Sequence, residues 1–322
     1  MIKPELSVVM AVYNGERFLK QAIESVLNQT FKNFEFIIVN DGSTDKSKEI
    51  INSYPDPRIV LINQSNKGLA NSLNIGIDRA KTEFIARMDA DDICMKNRFQ
   101  CQLEVLGNDK NLIAVGSNAI EITENGKYIF TSNQITEPKL IHQKLEDSLK
   151  AGKPWMPFYH SSTLFRKAVC MKAGGYDSRL RYTEDVVLFN KMSKYGFFIN
   201  IEEPLIRYRI VKNSMSTRVR KDMPRFRKLV VQSINEKPLN HDDLMFLKNI
   251  TSTSNLRSRK SQYHFYLSKK YLFKGRNKYN SLLNGLKCIL LSPFFLKQWI
   301  ILVALLLPHN LLKKYYGWLR YT

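Results

Sequence analysis

The chain has 322 residues, 44% of them hydrophobic and 11% aromatic, which excludes a disordered or low-complexity protein because this much apolar material forms a sizeable core. Its four cysteines show no paired short spacing, which excludes a small disulfide scaffold and favours reduced thiols in a cytosolic protein. Fifty lysines and arginines stand against 29 aspartates and glutamates, a formal net charge of +21 that points to a polyanionic partner.

The first hundred residues alternate between strand and helix patterns. Residues 6–13 are nearly all apolar, as in a parallel strand buried on both faces, and residues 16–29 carry apolar side chains at helical spacing. The alternation continues through five more predicted elements: strand 35–39, a helix that Ser43 or Thr44 caps and that extends to about Tyr54, strand 58–62, helix 68–80 and strand 83–88. Strands and helices that alternate with short loops predict βαβ units in a doubly wound α/β sheet.

The pattern becomes mixed after residue 110. The predicted elements there are strands at 113–115 and 128–131, helices at 139–149 and 184–195, and strands at 198–201 and 205–211. From Ser214 onward the sequence is basic and its pattern is mostly helical. We therefore predict an α/β domain over residues 1–212, followed by a basic helical region over residues 213–322.

Positive charge is concentrated in the last third of the chain. Residues 1–210 contain 28 lysines and arginines against 25 aspartates and glutamates, whereas residues 211–322 contain 22 against 4. This asymmetry indicates nucleic acid or an anionic membrane leaflet as the partner. No zinc-ligand spacing, helix-turn-helix signature or RNP-type strand accompanies the charge, so we expect an anionic membrane surface and no nucleic acid.

The C-terminal sequence carries apolar and aromatic residues beside cations. Fifteen of the nineteen residues at 289–307 are apolar, but a proline, a lysine and a glutamine interrupt them, and the nine-residue run at 299–307 is too short to cross a bilayer. Residues 311–320 mix leucine, tyrosine and tryptophan with lysine and arginine, which is typical of a helix in the headgroup region. We predict peripheral or monotopic attachment; a membrane span and a soluble helix packed on the main domain are the alternatives.

Three polar clusters follow predicted strands, at residues 13–14, 40–42 and 89–92. Ligands of open α/β sheets bind beyond the carboxyl ends of the strands, so these clusters predict one binding site. Asp89, Asp91 and Asp92 are three carboxylates within four residues, and they repel one another unless a cation relieves them. Such oxygen ligands suit Mg²⁺ or Mn²⁺, which in turn holds a diphosphate; the alternative is an acidic loop that caps a helix beginning near Met95.

Several motifs occur in an order that resembles family 2 glycosyltransferases with the GT-A fold. The segments that carry the resemblance are SVVMAVYNG at 7–15, SVLNQTF at 25–31, FIIVNDGSTD at 36–45, NKGLA at 66–70, ARMDADD at 86–92, HSS at 160–162, GGYD at 174–177 and ED at 184–185. Together they extend over about residues 5–212. The resemblance implies a GT-A-type, Rossmann-like, doubly wound mixed sheet that binds a nucleotide-sugar.

The resemblance also assigns roles to the polar clusters. The backbone at Ala11 and the ring of Tyr13 would hold the nucleotide base, and Asp41 would accept hydrogen bonds from a uracil-type base edge. Asp89 and Asp91 match the family's DxD motif. Asp91 would ligate the Mn²⁺ or Mg²⁺ on the donor diphosphate, and Asp89 would help to place the ribose or the metal.

Two later residues receive roles in the same way. Asp185 would be the general base, and the family inverts the anomeric carbon in a single displacement. Removal of the proton from the acceptor hydroxyl needs a carboxylate within about 3 Å, and one metal ion stabilises the departing diphosphate. Arg209 resembles part of a family strand near the acceptor site and would contact phosphate oxygens; a structural salt bridge is the alternative.

The resemblance implies a metal-dependent, inverting transferase that moves one sugar from a nucleotide-sugar, with UDP favoured, to a glycan or lipid-linked acceptor. The expected pathway is the synthesis of a surface polysaccharide (capsule, exopolysaccharide or O-antigen) at the cytoplasmic face of a bacterial inner membrane. The rival hypothesis is a catalytically silent protein that binds membranes or nucleic acid on a transferase scaffold. The presence of Asp89, Asp91 and Asp185 argues against that rival.

Overall fold

The computed structural model describes residues 3–180, 183–212, 223–249, 256–293 and 296–306. The first seven elements alternate: β1 (Leu6–Val12), α1 (Glu16–Leu27), β2 (Phe34–Asp41), α2 (Ser47–Asn52), β3 (Ile59–Gln64), α3 (Leu69–Arg79) and β4 (Phe84–Asp89). The four strands pair in parallel in the order β3-β2-β1-β4. The structure therefore confirms the predicted βαβ units and the doubly wound arrangement.

The later strands join the sheet in antiparallel pairs and make it mixed. The elements of this part are β5 (Ile93–Cys94), α4 (Arg98–Asn108), β6 (Leu112–Thr123), β7 (Tyr128–Thr131), α5 (Pro138–Lys150), β8 (Leu164–Arg166), α6 (Lys167–Lys172), α7 (Glu184–Met192) and β9 (Phe197–Ile210). β8 pairs with both β4 and β6, and β5 pairs with β9. The order is β3-β2-β1-β4-β8-β6-β9-β5, with β7 on β6, so the predicted mixed sheet is confirmed.

The long strand β9 is continuous where the sequence predicted two strands, at 198–201 and 205–211. Pro204 lies inside it, and a proline removes one amide donor from the ladder while its backbone stays compatible with extended structure. The predicted break between residues 201 and 205 is therefore wrong.

Helix α2 begins later than predicted, at Ser47 instead of directly after Ser43 or Thr44. The two earlier side chains bind Asn14 in the preceding loop: the Asn14 amide donates to Ser43 Oγ at 3.0 Å, and Thr44 Oγ1 donates to Asn14 Oδ1 at 3.3 Å. A tertiary contact thus takes the place of the predicted helix cap.

Side chains of the central strands alternate between two hydrophobic layers, one on each face of the sheet. Val8 and Met10 of β1 belong to the layer that contains Ile23 of α1, whereas Val9 belongs to the layer that contains Leu73 of α3. Successive side chains of a strand point to opposite faces, so a strand covered on both sides is apolar throughout. This is why the sequence of β1 shows no polar alternation.

The C-terminal part is helical, as predicted. Its helices are α8 (Met223–Ile234), α9 (His241–Asn249), α10 (Leu256–Phe273), α11 (Lys278–Leu291) and α12 (Leu296–Leu306). Among the described residues, no helix is both long enough and apolar enough to cross a membrane. The predicted interfacial pattern at 311–320 lies outside the described residues.

The chain forms two compact units. The first consists of residues 1–119, 132–208 and 222–250, and the second of residues 120–131, 209–221 and 251–322. Within the first unit, α8 packs Phe226, Leu229 and Val230 against Leu180 and Val187. The predicted domain boundary at residue 212 stays a prediction.

Candidate active site

The carboxyl ends of β1, β2 and β4 lie at one edge of the sheet. The strand register places Ala11 of β1 between Val39 of β2 and Asp89 of β4. Tyr13 follows β1 and is 55% exposed, so its ring is accessible to a ligand. Because adjacent parallel strands end together, the polar residues that follow them become neighbours.

The loops after β1 and β2 are joined by hydrogen bonds at the start of α1. The Thr44 amide donates to Asn14 Oδ1 at 2.8 Å, and the Gly15 amide donates to Ser47 Oγ at 2.9 Å. The amide of Glu16, the first residue of α1, donates to an Asp45 carboxylate oxygen at 2.9 Å. Backbone amides at a helix N-terminus commonly bind phosphate. At the start of α1 two of these amides, those of Gly15 and Glu16, donate to the side chains of Ser47 and Asp45.

Asp41 ends β2 and binds the start of α3. It is 3% exposed, and Gln64 Nε2 and the Lys67 amide donate to its Oδ1 at 2.7 and 2.8 Å. The Gly68 amide donates to its Oδ2 at 2.9 Å, and the φ of Gly68 is 88°, a left-handed conformation that favours glycine. A carboxylate offers about four acceptor positions, and these hydrogen bonds occupy three of them.

The structure brings the three carboxylates of the acidic cluster together. One oxygen from each of Asp89, Asp91 and Asp92 lies within 4.8 Å of the others. Asp92 is 1% exposed and accepts a hydrogen bond from Ser161 Oγ, whereas Asp89 and Asp91 are half-buried. Hard carboxylate oxygens at this spacing fit Mn²⁺ or Mg²⁺. Asp89 and Asp91 are therefore the two carboxylates of the cluster that are accessible to solvent.

The acidic cluster does not cap a helix near Met95. Ile93–Cys94 form β5, and α4 begins at Arg98 with Asn97 at its N-cap position. The capping alternative is therefore wrong, because the chain after the cluster first extends to pair with β9.

Arg87 is a buried cation beside the acidic cluster. It is 3% exposed, and its Nη1 forms an ion pair with Asp89 Oδ2, while its Nε has no hydrogen-bond partner within the described part of the chain. Burial by itself lowers the pKa of Arg87, but the charge and hydrogen bond of Asp89, together with the charge of Asp92, outweigh it and hold the pKa above its ordinary value. The guanidinium therefore stays charged and offsets part of the carboxylate repulsion.

Asp185 lies in the first turn of α7 and is half-buried. Its Oδ1 accepts a hydrogen bond from the Val186 amide at 2.7 Å. Burial raises the pKa of Asp185; the Val186 amide and Arg87 oppose this rise, and the charge of Asp89 adds to it. These effects place Asp185 within the field of the acidic cluster. A carboxylate with a raised pKa is a stronger base, which suits proton removal from a hydroxyl.

His160 and Tyr176 form a buried pair next to Arg87. His160 Nε2 and Tyr176 Oη are 2.7 Å apart. Burial lowers the pKa of His160 well below its usual range, with Arg87 acting in the same direction, and burial raises the pKa of Tyr176 well above its usual range. Both side chains are therefore neutral at physiological pH. Asn74 holds Tyr176 in place, because its side chain binds both the amide and the backbone oxygen of Tyr176 at 2.8 Å.

The family model for glycosyl transferase family 2 matches residues 7–173, more than half of the chain. The chain belongs to this family. The glycosyltransferase is 36% identical over 217 residues to an uncharacterized glycosyltransferase of Methanocaldococcus jannaschii, a match that covers 65% of this chain and 72% of that protein. It is 29% identical over 218 residues to the amylovoran biosynthesis glycosyltransferase AmsE of Erwinia amylovora, covering 66% of this chain and 79% of AmsE.

Solved structures share the fold of the glycosyltransferase at low sequence identity. S. aureus TarS 1–349 in complex with UDP-GlcNAc has a TM-score of 0.58 at 15% identity, over 90% of this chain and 82% of that chain. Mannosyltransferase PcManGT from Pyrobaculum calidifontis, in complex with GDP-Man and Mn²⁺, has a TM-score of 0.52 at 16% identity, over 99% of this chain and 84% of that chain. These likenesses support the GT-A fold.

The predicted site residues of the glycosyltransferase fall into two groups. The first compact unit contains Ala11, Tyr13, Asp41, Asp89, Asp91 and Asp185. Arg209 belongs to the second unit, where it is buried and its Nη1 donates to the backbone oxygen of Glu124 at 2.9 Å. The roles of all seven residues stay predictions.

Two features of the site were not predicted from the sequence, namely Arg87 and the pairing of His160 with Tyr176. Arginine is almost never fully buried unless it is paired, so an arginine inside the apolar strand β4, two residues before an aspartate, is a readable signal. The histidine–tyrosine pair has no such signal, because its members come from separate motifs whose contact only the fold determines.

Proposed function

We propose that the glycosyltransferase transfers a single sugar, with inversion, from a nucleoside diphosphate sugar to a glycan or lipid-linked acceptor. Asp89 and Asp91 would hold a divalent cation, Mn²⁺ or Mg²⁺, on the donor diphosphate. Ala11, Tyr13 and Asp41 would bind the nucleotide base. The observation that carries the proposal is that Asp89 and Asp91 lie in one acidic cluster beside the buried Arg87, and that the charges of Arg87 and Asp89 also act on the pKa of Asp185.

Asp185 is the residue that we place at the acceptor hydroxyl. As the hydroxyl oxygen bonds to the anomeric carbon, its proton passes to the Asp185 carboxylate. The bond from that carbon to the diphosphate oxygen breaks on the opposite side, which inverts the configuration. Arg87 keeps Asp89 oriented through their ion pair. A bound divalent cation supplies the charge stabilisation that a departing diphosphate needs.

We propose UDP as the donor nucleotide. The exposed Tyr13 ring offers an aromatic surface for a base, and Asp41 retains one acceptor position for a base N–H. TarS, which shares the fold, is described in complex with UDP and with UDP-GlcNAc, whereas PcManGT is described with GDP-Man. GDP and dTDP sugars are therefore the comparison donors in any test.

We also propose that the acceptor belongs to surface polysaccharide synthesis and is presented at the cytoplasmic face of the inner membrane. AmsE, a relative at 29% identity, is named for amylovoran biosynthesis. The excess of lysine and arginine in residues 211–322 fits attachment to an anionic leaflet.

Nucleotide release tests the proposed reaction. Purified protein is incubated with UDP-, GDP- and dTDP-sugars, Mn²⁺ and a lipid extract as the acceptor source, and the released nucleoside diphosphate is measured. We expect UDP release that EDTA abolishes and that Asp185→Asn lowers by about a hundredfold to ten-thousandfold, the usual contribution of a general base.

The control variant for this assay is Asp78→Asn, an exposed aspartate on α3 outside the cluster, which should keep the wild-type rate. Equal rates for Asp185→Asn and the wild type would remove Asp185 from the mechanism. If the nucleoside diphosphate is released only from GDP-sugars or only from dTDP-sugars, that nucleotide and not UDP is the donor.

A further inference from the structure

Helix α11 turns small and polar side chains towards α10. Ser268 Oγ donates to the Ser281 backbone oxygen at 2.6 Å, and Ser281 Oγ donates back to the Ser268 oxygen at 2.9 Å. Ser261 Oγ donates to the Cys288 oxygen at 3.0 Å, and Gly285 is buried on the same helix. Because small side chains let two helix axes approach closely, these residues allow α10 and α11 to pack near each other.

The leucines lie on the outer side of α11. The exposed apolar side chains, called the α11 face below, are Tyr279, Leu282, Leu283, Leu286 and Leu290. Tyr279 is 71% exposed and Leu290 is 76% exposed, so most of the surface of each residue contacts solvent. A soluble helix usually places its leucines inward, whereas four leucines of α11 are exposed.

Lysines flank the α11 face on both sides. At 100° per residue, the five side chains of the α11 face fall within an arc of about 100°. Lys287 and Lys278, both exposed, lie at opposite margins of that arc. An apolar stripe with cations along its two edges is the pattern of a helix that lies in a membrane interface.

Charge and length agree with that pattern. Residues 251–322 contain 13 lysines and arginines and no aspartate or glutamate. α11 has 14 residues and is therefore about 21 Å long, shorter than the hydrocarbon core of a bilayer. On the neighbouring helix α12, Trp299 and Val303 are exposed one turn apart, and tryptophan is enriched at headgroup depth.

We propose that the α11 face is a docking surface for an anionic lipid membrane, with its leucines at the acyl boundary and Lys278 and Lys287 at the lipid phosphates. The proposal deepens the membrane attachment proposed above and rests on it. Two copies of so cationic a surface repel each other, and a nucleic acid offers no apolar partner for the leucines. A bilayer with acidic headgroups can bind both the leucines and the lysines, because it offers an apolar interior and an anionic surface.

Co-sedimentation of the full chain with vesicles tests the proposal. The vesicles are phosphatidylcholine alone, or phosphatidylcholine mixed with an equal part of phosphatidylglycerol. The double variant Leu286→Gln/Leu290→Gln removes two leucines of the α11 face. Its matched control is Leu140→Gln/Leu244→Gln, which changes two exposed helical leucines of the first unit.

We expect the wild type to prefer the phosphatidylglycerol vesicles and the α11 double variant to lose at least about tenfold in affinity. The control variant should bind as the wild type does, and Lys278→Gln or Lys287→Gln should each lose about fivefold. The proposal is overturned if the α11 variant binds like the wild type, or if the wild type ignores the anionic lipid. It is also overturned if the α11 variant changes only the oligomeric state.

Thermal stabilisation by UDP with Mn²⁺, measured on the same samples, separates this proposal from the proposed function. If the α11 variant keeps this stabilisation but no longer binds vesicles, it is folded, and its defect is in membrane docking. If the wild type binds vesicles but UDP with Mn²⁺ does not stabilise it, the docking proposal holds and the proposed donor site is contradicted.

Discussion

The centre of the site holds Arg87, which is buried, and Asp185, which is half-buried. Burial raises the pKa of Asp185, and the neighbouring acidic groups outweigh the effect of burial on Arg87 and keep its pKa above the ordinary value. Such burial opposes folding, since a buried charge loses its hydration. Enzymes commonly retain such groups for proton transfer and charge balance although their burial lowers the stability of the fold.

We expect Asp185→Asn to stabilise the protein at neutral pH. Because the pKa of Asp185 is raised in the folded state, its ionisation costs more in the folded protein than in the unfolded chain at neutral pH. The gain in the free energy of unfolding should disappear as the pH falls through the folded-state pKa towards the ordinary value of 3.8. Urea unfolding at neutral and acid pH measures it, and a variant less stable than the wild type at neutral pH would contradict the account.

Arg87→Met should destabilise the protein by about 3 kcal/mol when divalent cations are chelated. The change removes the ion pair with Asp89 and leaves the acidic cluster without its buried cation. Added Mn²⁺ should restore part of the loss, and Arg87→Lys should lose less because it keeps the charge. Urea unfolding with EDTA and with Mn²⁺ tests this; equal stability of Arg87→Met and the wild type in EDTA would count against it.

At the scale of elements, the site depends on the close approach of α3 to the central strands. Gly76 is buried on α3, and a Cβ atom there would lie 2.5 Å from Val9 Cγ1 and 3.5 Å from Val39 Cγ2. The glycine therefore sets how near α3 lies to β1 and β2. Gly68, whose amide binds Asp41, is the N-cap residue of the same helix, and Asn74 on this helix holds Tyr176.

Gly76→Ala should cost about 1–3 kcal/mol because the methyl group overpacks a rigid contact. The matched control is Gly107→Ala on α4, where a Cβ atom meets nothing within 4 Å and where alanine should add up to about 1 kcal/mol of helix stability. Thermal or urea unfolding compares the two variants. Equal effects at both positions would show that α3 does not pack as described.

Long periodic elements were predictable from the sequence, and short ones were not. β1 and α1 repeat their apolar pattern over 7 and 12 residues, so their existence and nearly all of their bounds follow from spacing. β5 and β8 have 2 and 3 residues and exist because β9, β4 and β6 pair with them. Such strands depend on tertiary contacts that no local pattern encodes.

At the scale of the whole molecule, chemistry and charge occupy different parts of the chain. Six of the seven predicted site residues lie in the first compact unit, and residues 251–322 of the second unit carry no acidic residue. The placement of the site residues could be predicted from the sequence, because they follow the predicted strands and belong to the motifs. The outward leucines of α11 were not predictable, because an apolar helix stripe ordinarily indicates a buried face.

The central claim is a nucleotide site that depends on a divalent cation at Asp91. The most direct measurement is the unfolding midpoint of the wild type, Asp91→Ala and the exposed-residue control Asp78→Ala, each with UDP, with Mn²⁺ and with both. A ligand at 100 times its dissociation constant stabilises the folded state by about 2.7 kcal/mol. The account predicts this gain for the wild type and Asp78→Ala only when UDP and Mn²⁺ are combined, and its loss in Asp91→Ala. An equal gain in Asp91→Ala, or none in the wild type, would contradict it.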